Sequence, residues 1–462
     1  MKFTKFGKAL LMGALPIGIV FGTSSCVVSY IVGYMYVTGT DTAQPSGVGI
    51  ISGYKIDHNT GQMSTVNGLP ISSGGSNPVR ALLYPGSTYL YVLNRGVSTN
   101  PAGTNICTTQ YPCQGANITL FAVGGNGILT PQGTAYFTQG LNPFRMALDP
   151  SGNYLLVLDH DSIGKDGVNP ATAANPNPNC AKALGGNLQT CGDITIFAVA
   201  STTGRLSLIQ NQQVTAAGSV APLTYFPVPA NPVDFVLASN TVLTMSSAAI
   251  QTTYPYTGGS SVYPYSYNGS SGQLTLSLNS SQNLGIAQGT ALVNLSSAFY
   301  VLDNEAPNPN TTGAVSQLLP YTIGTNGALQ PETSGIIPDD PTLANPIYVV
   351  QESKGKFFYV ANQGNNALGN NTQSGISAYF LTTSPAFQAT FIAGEPFGTG
   401  AGPQCIVEDP SNQFIYTANY NDSSITGRTI DVNTGVLDNL RNTNRYILPG
   451  PATWCLMNGR TS

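Results

Sequence analysis

Charge is scarce in this sequence. Only 8% of its 462 residues are Asp, Glu, Lys or Arg, and the net charge is −4. A protein that neutralises phosphates needs a cationic face, so nucleic acid is excluded as a partner, as is attraction to an anionic membrane surface. Histidine is scarcer still, with His58 and His160 the only two. Seven cysteines include no CxxC pair, and neither histidine lies near clustered thiols, so neither a metal nor a cofactor is expected. No GxSxG elbow, HExxH pair or phosphate-cradling glycine loop occurs. No long amphipathic helix is evident.

Glycine and proline are plentiful, at 52 and 32 residues, as in an all-β chain dense in turns. The stretch 142–159, NPFRMALDPSGNYLLVLD, reads as two short strands around an Asp-Pro-Ser-Gly turn. It recurs as NPVRALLYPGSTYLYVLN from Asn77, NPIYVVQESKGKFFYVAN from Asn345 and GPQCIVEDPSNQFIYTAN from Gly402. Degraded copies begin near Pro232 and Thr290, and a copy at Pro451 has a first strand but no second. Between the copies lies another hairpin, found seven times, with Gly at the turn in six (Gly61, Gly127, Gly204, Gly272, Gly327, Gly435) and Ser384-Pro385 in one. A period of roughly 50 to 60 residues signals a propeller or solenoid. Seven first strands and seven outer hairpins predict a seven-bladed β-propeller of four-stranded antiparallel blades. The missing strand of the last copy is supplied from residues 30–38, which closes the ring.

Lys2, Lys5 and Lys8 precede an apolar run and then Thr23-Ser24-Ser25-Cys26. This predicts a signal peptide over 1–25, then either a tether at 26–29 lipidated at Cys26 or plain secretion, with an uncleaved membrane helix as the rival reading. The propeller occupies 30–462. The expectation is an exported monomer, in the periplasm or on the cell surface, touching a membrane only through an N-terminal lipid. An even set of six cysteines remains, as suits an exported chain. Proximity pairs Cys107 with Cys113, Cys180 with Cys191, and Cys405 with Cys455. The first two pairs fall in long inserts, 96–117 and 160–193, which join second to third strands and so wall one face. Residues 210–229 add a third rim.

Two clusters on that face could carry chemistry. Two residues after each repeat proline stand Arg80, Arg145, Asp234, Tyr348, Cys405 and Thr453, with Leu292 in the copy lacking proline. Two arginines could clamp a carboxylate or phosphate, or Asp234 could neutralise them. The ends of the second strands add Asn94-Arg95, Asp159-His160-Asp161, Asp303-Asn304-Glu305, Asn362-Gln363 and Asn419-Tyr420-Asn421-Asp422. Asp159, Asp303 and Asn419 are thus candidate ligand contacts on a polar rim, with turn chemistry as their other explanation. His160 is the one candidate general base of the usual type. His58 falls in an outer turn.

The xP…DPxGxYLYVxN half, the outer hairpin with its TG turn and the seven-fold count resemble the lactonase-like seven-bladed β-propeller family, which includes 6-phosphogluconolactonase and carboxymuconate cyclase relatives. The repeats also resemble YVTN-type surface propellers. The resemblance covers roughly residues 30–459. It implies the propeller fold and an Arg-His pair after a repeat proline; here the arginine is present in two copies, Arg80 and Arg145, and the histidine in none. The first expectation is therefore a module that binds a carbohydrate, a carboxylate or a surface protein. The alternatives are a hydrolase of an anionic sugar lactone, using Arg80, Arg145 and His160, and a structural surface protein.

Overall fold

The computed structural model describes residues 30–459, except 44–46, 87, 101–112, 134, 248–250, 252–255, 257–258, 277–279, 296–297, 308–313, 333–334, 365–372 and 383–387. The expected leader, tether and Cys26 lie outside the described residues. Seven antiparallel sheets form a closed propeller. Blade 1 runs outward from Pro78–Leu83 through Tyr89–Asn94 and Asn117–Val123 to Leu129–Pro131. The innermost strands of blades 2 to 6 are Leu141–Leu148, Pro232–Ala238, Gly289–Leu295, Pro346–Gln351 and Pro403–Glu408. In blade 7 the innermost strand, Ala452–Asn458, pairs with Ile31–Thr40 near the other end of the chain, followed by Val48–Asp57 and Met63–Thr65. Met35 stands opposite Met457, and Thr38 opposite Trp454. The ring closes as expected.

Apolar residues on both sides of each blade bury against the neighbouring blades. Tyr91, Leu93, Leu155, Val157 and Phe197 form one such layer between blades 1 and 2. Each fully buried Leu or Val contributes roughly 1.5–3 kcal/mol relative to exposure. The turn glycines are part of this packing. Gly204 in blade 2 has φ +66°, and a Cβ there would lie 2.8 Å from the Tyr89 ring of blade 1. Removing the side chain lets the Tyr91 hydroxyl, two residues further on, donate to the Gly204 carbonyl. The same bond recurs from Tyr36 to Gly127, Tyr359 to Gly435 and Tyr416 to Gly61. Alternating aromatics in the second strand and glycine in the next outer turn are therefore one device.

The Asn-Pro signature opens the innermost strands. Asn77, Asn142, Asn231 and Asn345 have φ between 51° and 58°, a left-handed conformation that asparagine tolerates. The proline then pairs with the end of the second strand, one residue bulges, and the next pair follows: Pro78 with Asn94, then Arg80 with Leu93. Two blades depart from the expected numbering. In blade 4 the first pair is Gly289 with Asp303, so Ala291, not Leu292, matches Arg80. In blade 7 it is Ala452 with Gly39, so Trp454, not Thr453, holds that position. Neither copy has the Asn-Pro step that sets the register, and counting from Thr290 or Pro451 lands one residue early or late.

Cys180–Cys191 and Cys405–Cys455 are bonded as expected. Cys113 is in a disulfide, and its expected partner Cys107 lies outside the described residues. The 160–193 insert carries one helix, Pro178–Leu184, capped by Asn177. Lys182 on that helix donates to the carbonyls of Ala216 and Ser219, so the 210–229 segment braces the insert. His58 stacks on Tyr30 at 4.3 Å, on the opposite side of the ring from the insert. Among the described residues no helix is long and apolar enough to cross a membrane.

Candidate functional site

The starts of the innermost strands and the ends of the second strands meet at one mouth of the central channel. A cavity of about 300 Å³ there is lined by Arg80, Arg145, Phe144, Gln363, Tyr420 and Trp454, among others. A second cavity of about 450 Å³ continues inward beneath the same two arginines and Trp454. The mouth is thus walled by two guanidinium groups, three aromatic rings and side-chain amides.

The two arginines differ. Arg145 Nε donates to Asp234 Oδ1 at 3.0 Å. Asp234 also accepts from the backbone N–H groups of Phe235 at 2.9 Å and Leu292 at 2.8 Å. The carboxylate accepts three bonds and ties the innermost strands of blades 2, 3 and 4 together. It is a counter-ion for Arg145, one of the two roles that its spacing allowed. Arg80 makes no hydrogen bond or ion pair among the described residues. Its guanidinium lies 3.5 Å over the ring of Trp454, a close cation–π stack. Trp454 is met edge-on by Tyr348, with centroids 4.8 Å apart at 82°. Arg80 is 8% exposed. Burial, and then the nearby charge of Arg145, pushes its guanidinium well below the usual range, with Asp234 and Tyr348 opposing the shift. An incoming anion would relieve that penalty.

Of the second-strand ends, Gln363 and Tyr420 line the mouth, whereas the residues before them and their counterparts in other blades do not reach it. Asn94, Asp159, Asp303, Asn362 and Asn419 are all fully buried. Four of the five stand opposite the opening proline of the innermost strand, and Asp303 stands opposite Gly289 in its place. Their side chains join the second strand to the third: Asn94 binds Asn117 at 2.9 Å, Gln317 donates to Asp303 at 3.0 Å, and Asn419 to Ser424 at 3.1 Å. Two also reach the link from the neighbouring blade, where Ser73 donates to Asn94 at 2.6 Å and the Gln288 N–H to Asp303 at 2.9 Å. Burial pushes Asp303 up to about 6. Asp159, Asp303 and Asn419 are therefore structural, because a strand residue opposite the proline points into the sheet contact. The next residue, of opposite facing, reaches the mouth: Gln363 follows Asn362 and Tyr420 follows Asn419.

Blade 2 alone puts two carboxyls at this position. Asp159 and Asp193 are register partners, both fully buried. Thr195 donates to Asp159 at 3.3 Å. Burial raises Asp159 to about 7 despite hydrogen bonds from Thr138, Asp193 and Thr195. Burial and the charge of Asp159 push Asp193 well above the carboxyl range.

His160 stands behind the mouth. Its ring packs edge-on against Phe144 at 6.1 Å, and Arg145 approaches the same Phe144 ring at 5.4 Å. Nδ1 of His160 lies 2.9 Å from Asp161 Oδ1, and Asn142 donates to Asp161 Oδ2 at 2.6 Å. Burial would raise Asp161, but the His160 hydrogen bond and charge, with Asn142 and Arg95, hold it below the usual carboxylate range. The structure thus gathers Arg80, Arg145, Asp234 and Tyr348, and leaves His160 one aromatic ring away. Trp454 was missed because the blade-7 register is shifted by one. Among the described residues, no cluster of three or more His, Cys, Asp or Glu side chains is arranged to hold a metal ion.

The fold and the mouth together define a closed seven-bladed propeller with a cationic, aromatic-walled opening. The family model "Lactonase, 7-bladed beta-propeller" matches residues 326–453, from the outer hairpin of blade 4 to the innermost strand of blade 7. The chain superposes on a periplasmic gluconolactonase of Pseudomonas aeruginosa with TM-score 0.61 and 15% identity, over 92% of this chain and 99% of that one. A Bacteroides uniformis protein assigned as a 6-phosphogluconolactonase gives TM-score 0.59 at 12% identity, again over 92% and 99%. No curated protein matches the sequence. The chain is a seven-bladed β-propeller whose residues 326–453 match the lactonase model, and identities this low speak to fold alone.

Proposed function

We propose that this chain is an exported lactonase-type hydrolase that opens a sugar lactone to its aldonate at the channel mouth. The observation that carries the reading is Arg80, a nearly buried guanidinium without a counter-ion, facing a cavity with aromatic walls and amide side chains. Rings of Trp454, Phe144 and Tyr420 suit the apolar faces of a sugar, and Gln363 and Gln404 suit its hydroxyls. Arg145 is already neutralised by Asp234, so the site has one uncompensated positive charge. That matches a single developing oxyanion or a carboxylate better than a phosphate dianion.

In the reaction, water adds to the lactone carbonyl carbon and the oxygen becomes an oxyanion. The Arg80 guanidinium donates to it, stabilising charge that is absent in the ground state. The ring C–O bond then breaks, the ring oxygen takes one proton of the water, the other is lost to solvent, and the new carboxylate stays on Arg80 until release. His160, oriented by Asp161, is the candidate group to accept the proton of water and return it to the leaving oxygen. Standing behind Phe144, it would act through an intervening water. Two described disulfides and the likeness to a periplasmic gluconolactonase support export.

The test is pH-stat titration of glucono-δ-lactone hydrolysis by the purified chain, with calorimetric titration of gluconate. Turnover above the spontaneous rate that is lost in Arg80→Ala supports the reading. Gluconate binding without turnover would return the protein to a binding module. Neither binding nor turnover would overturn the assignment of the mouth.

A further inference from the structure

We infer that the Cys405–Cys455 disulfide is a positioning element of the mouth, so that Trp454 is held beneath Arg80 only when these two thiols are oxidised. The inference builds on reading the mouth as a ligand site, and its central measurement does not depend on the ligand.

Three observations carry it. First, Cys405 occupies in blade 6 the register position that Arg80 holds in blade 1 and Trp454 in blade 7. Most blades present a side chain to the channel mouth there. Blade 6 instead bonds covalently to Cys455, the residue next to Trp454. Second, Ala452–Asn458 is the one innermost strand with no hairpin to its partner. Thr38 and Thr453, whose hydroxyls lie 3.1 Å apart, are 415 residues apart in sequence. A short turn fixes every other innermost strand against its second strand, whereas this one must be held by pairing, packing and the disulfide. Third, the Trp454 ring is set by contacts from other blades, with Arg80 of blade 1 over its face and Tyr348 of blade 5 at its edge. A small slip of the strand would break both.

Reduction by a dithiol breaks the S–S bond and adds two electrons and two protons. It yields two thiols, while the dithiol becomes a disulfide. The strand can then shift along Ile31–Thr40, and the platform under Arg80 is lost. The chain would therefore have an unassembled mouth in a reducing compartment and an assembled one after oxidation.

Trp454 is the only tryptophan, so its emission reports on this one position. The test compares wild type, the double variant Cys405→Ala/Cys455→Ala, and Cys180→Ala/Cys191→Ala, which removes the remote bridge. Emission maximum, acrylamide quenching and gluconate affinity are read on each, with far-UV circular dichroism checking that the sheets persist. The expected result is red-shifted, more quenchable emission and at least tenfold weaker gluconate binding in the first double variant only. If that variant does not fold, wild type is titrated with dithiothreitol and thiols are trapped by alkylation. The emission change must then follow the Cys405–Cys455 peptide and not Cys180–Cys191. Unchanged emission after loss of the bond overturns the inference. An emission shift with no gluconate binding in any form supports the positioning role and overturns the ligand reading instead.

Discussion

The Tyr91 hydroxyl donates to the Gly204 carbonyl at 2.6 Å across the seam between blades 1 and 2. Tyr91 is fully buried, and burial pushes its hydroxyl far above the usual phenol range, so it stays a donor at every working pH. Tyr91→Phe leaves a seam carbonyl without its partner and should cost about 1–3 kcal/mol. Gly204→Ala adds a strained backbone and a collision with Tyr89, and should cost at least as much, about 1–3 kcal/mol. Denaturant unfolding of both variants measures this. A loss within error for Tyr91→Phe would mean that the seams do not rest on these bonds.

Arg80 and Arg145 should fail in different ways. Arg80→Ala is expected to lower kcat/KM for glucono-δ-lactone by about 100-fold, the scale of a lost oxyanion donor, with little change in stability. Arg80→Lys should restore little, because an ammonium cannot reproduce the planar stack on Trp454. Arg145→Ala leaves Asp234 without its cation and should cost about 1–2 kcal/mol of stability, discounted because Arg145 is partly exposed. Steady-state kinetics and melting curves on the same three proteins separate the roles.

The Asp159–Asp193 pair makes stability depend on pH. Both carboxyls are pushed above their unfolded values, Asp159 to about 7. The folded state then binds more protons than the unfolded one, so stability falls as pH rises from the ordinary carboxyl range towards 7 and beyond. Asp193→Asn replaces the second carboxyl with an amide, as in the Asn94–Asn117 and Asp303–Gln317 pairs. It should raise the melting temperature at pH 8 by about 2 °C or more and flatten the slope between pH 5 and 8. Melting curves across that range check it, and an unaltered slope would assign the dependence elsewhere.

Removing Cys180–Cys191 should loosen the insert without opening the ring. The bond closes a short loop, 11 residues in separation, for which about 2–3 kcal/mol is expected. Limited proteolysis should then cut within 162–191 first, while Trp454 emission stays as in wild type.

The blade count and the closure were legible because they rest on periodicity and on turn glycines, which are local signals. Arg80, Arg145, Asp234 and Tyr348 could be gathered from spacing alone, since Asn-Pro fixes the register in their blades. Trp454 could not, because blade 7 begins its pairing at Ala452 without that step. The rim residues were misjudged for another reason. Asp159, Asp303 and Asn419 have turn-like composition, and only the sheet register shows that they face inward, whereas Tyr420 after Asn419 faces the opening. Which arginine lacks a counter-ion is a long-range fact, decided by how blades 1 to 3 sit around the channel.

Closing the circle with Ala452–Asn458 also sets an order of events during biosynthesis. At roughly 5–20 residues per second, Ile31–Thr40 leaves the ribosome on the order of tens of seconds before the strand it must pair with exists. During that delay its free hydrogen-bonding edge is a hazard for mispairing, and a chaperone has reason to hold it. A chain that stopped before Ala452 would lack both the strand that pairs with Ile31–Thr40 and the Trp454 ring under Arg80, so the ring and its mouth are completed together by the last residues made.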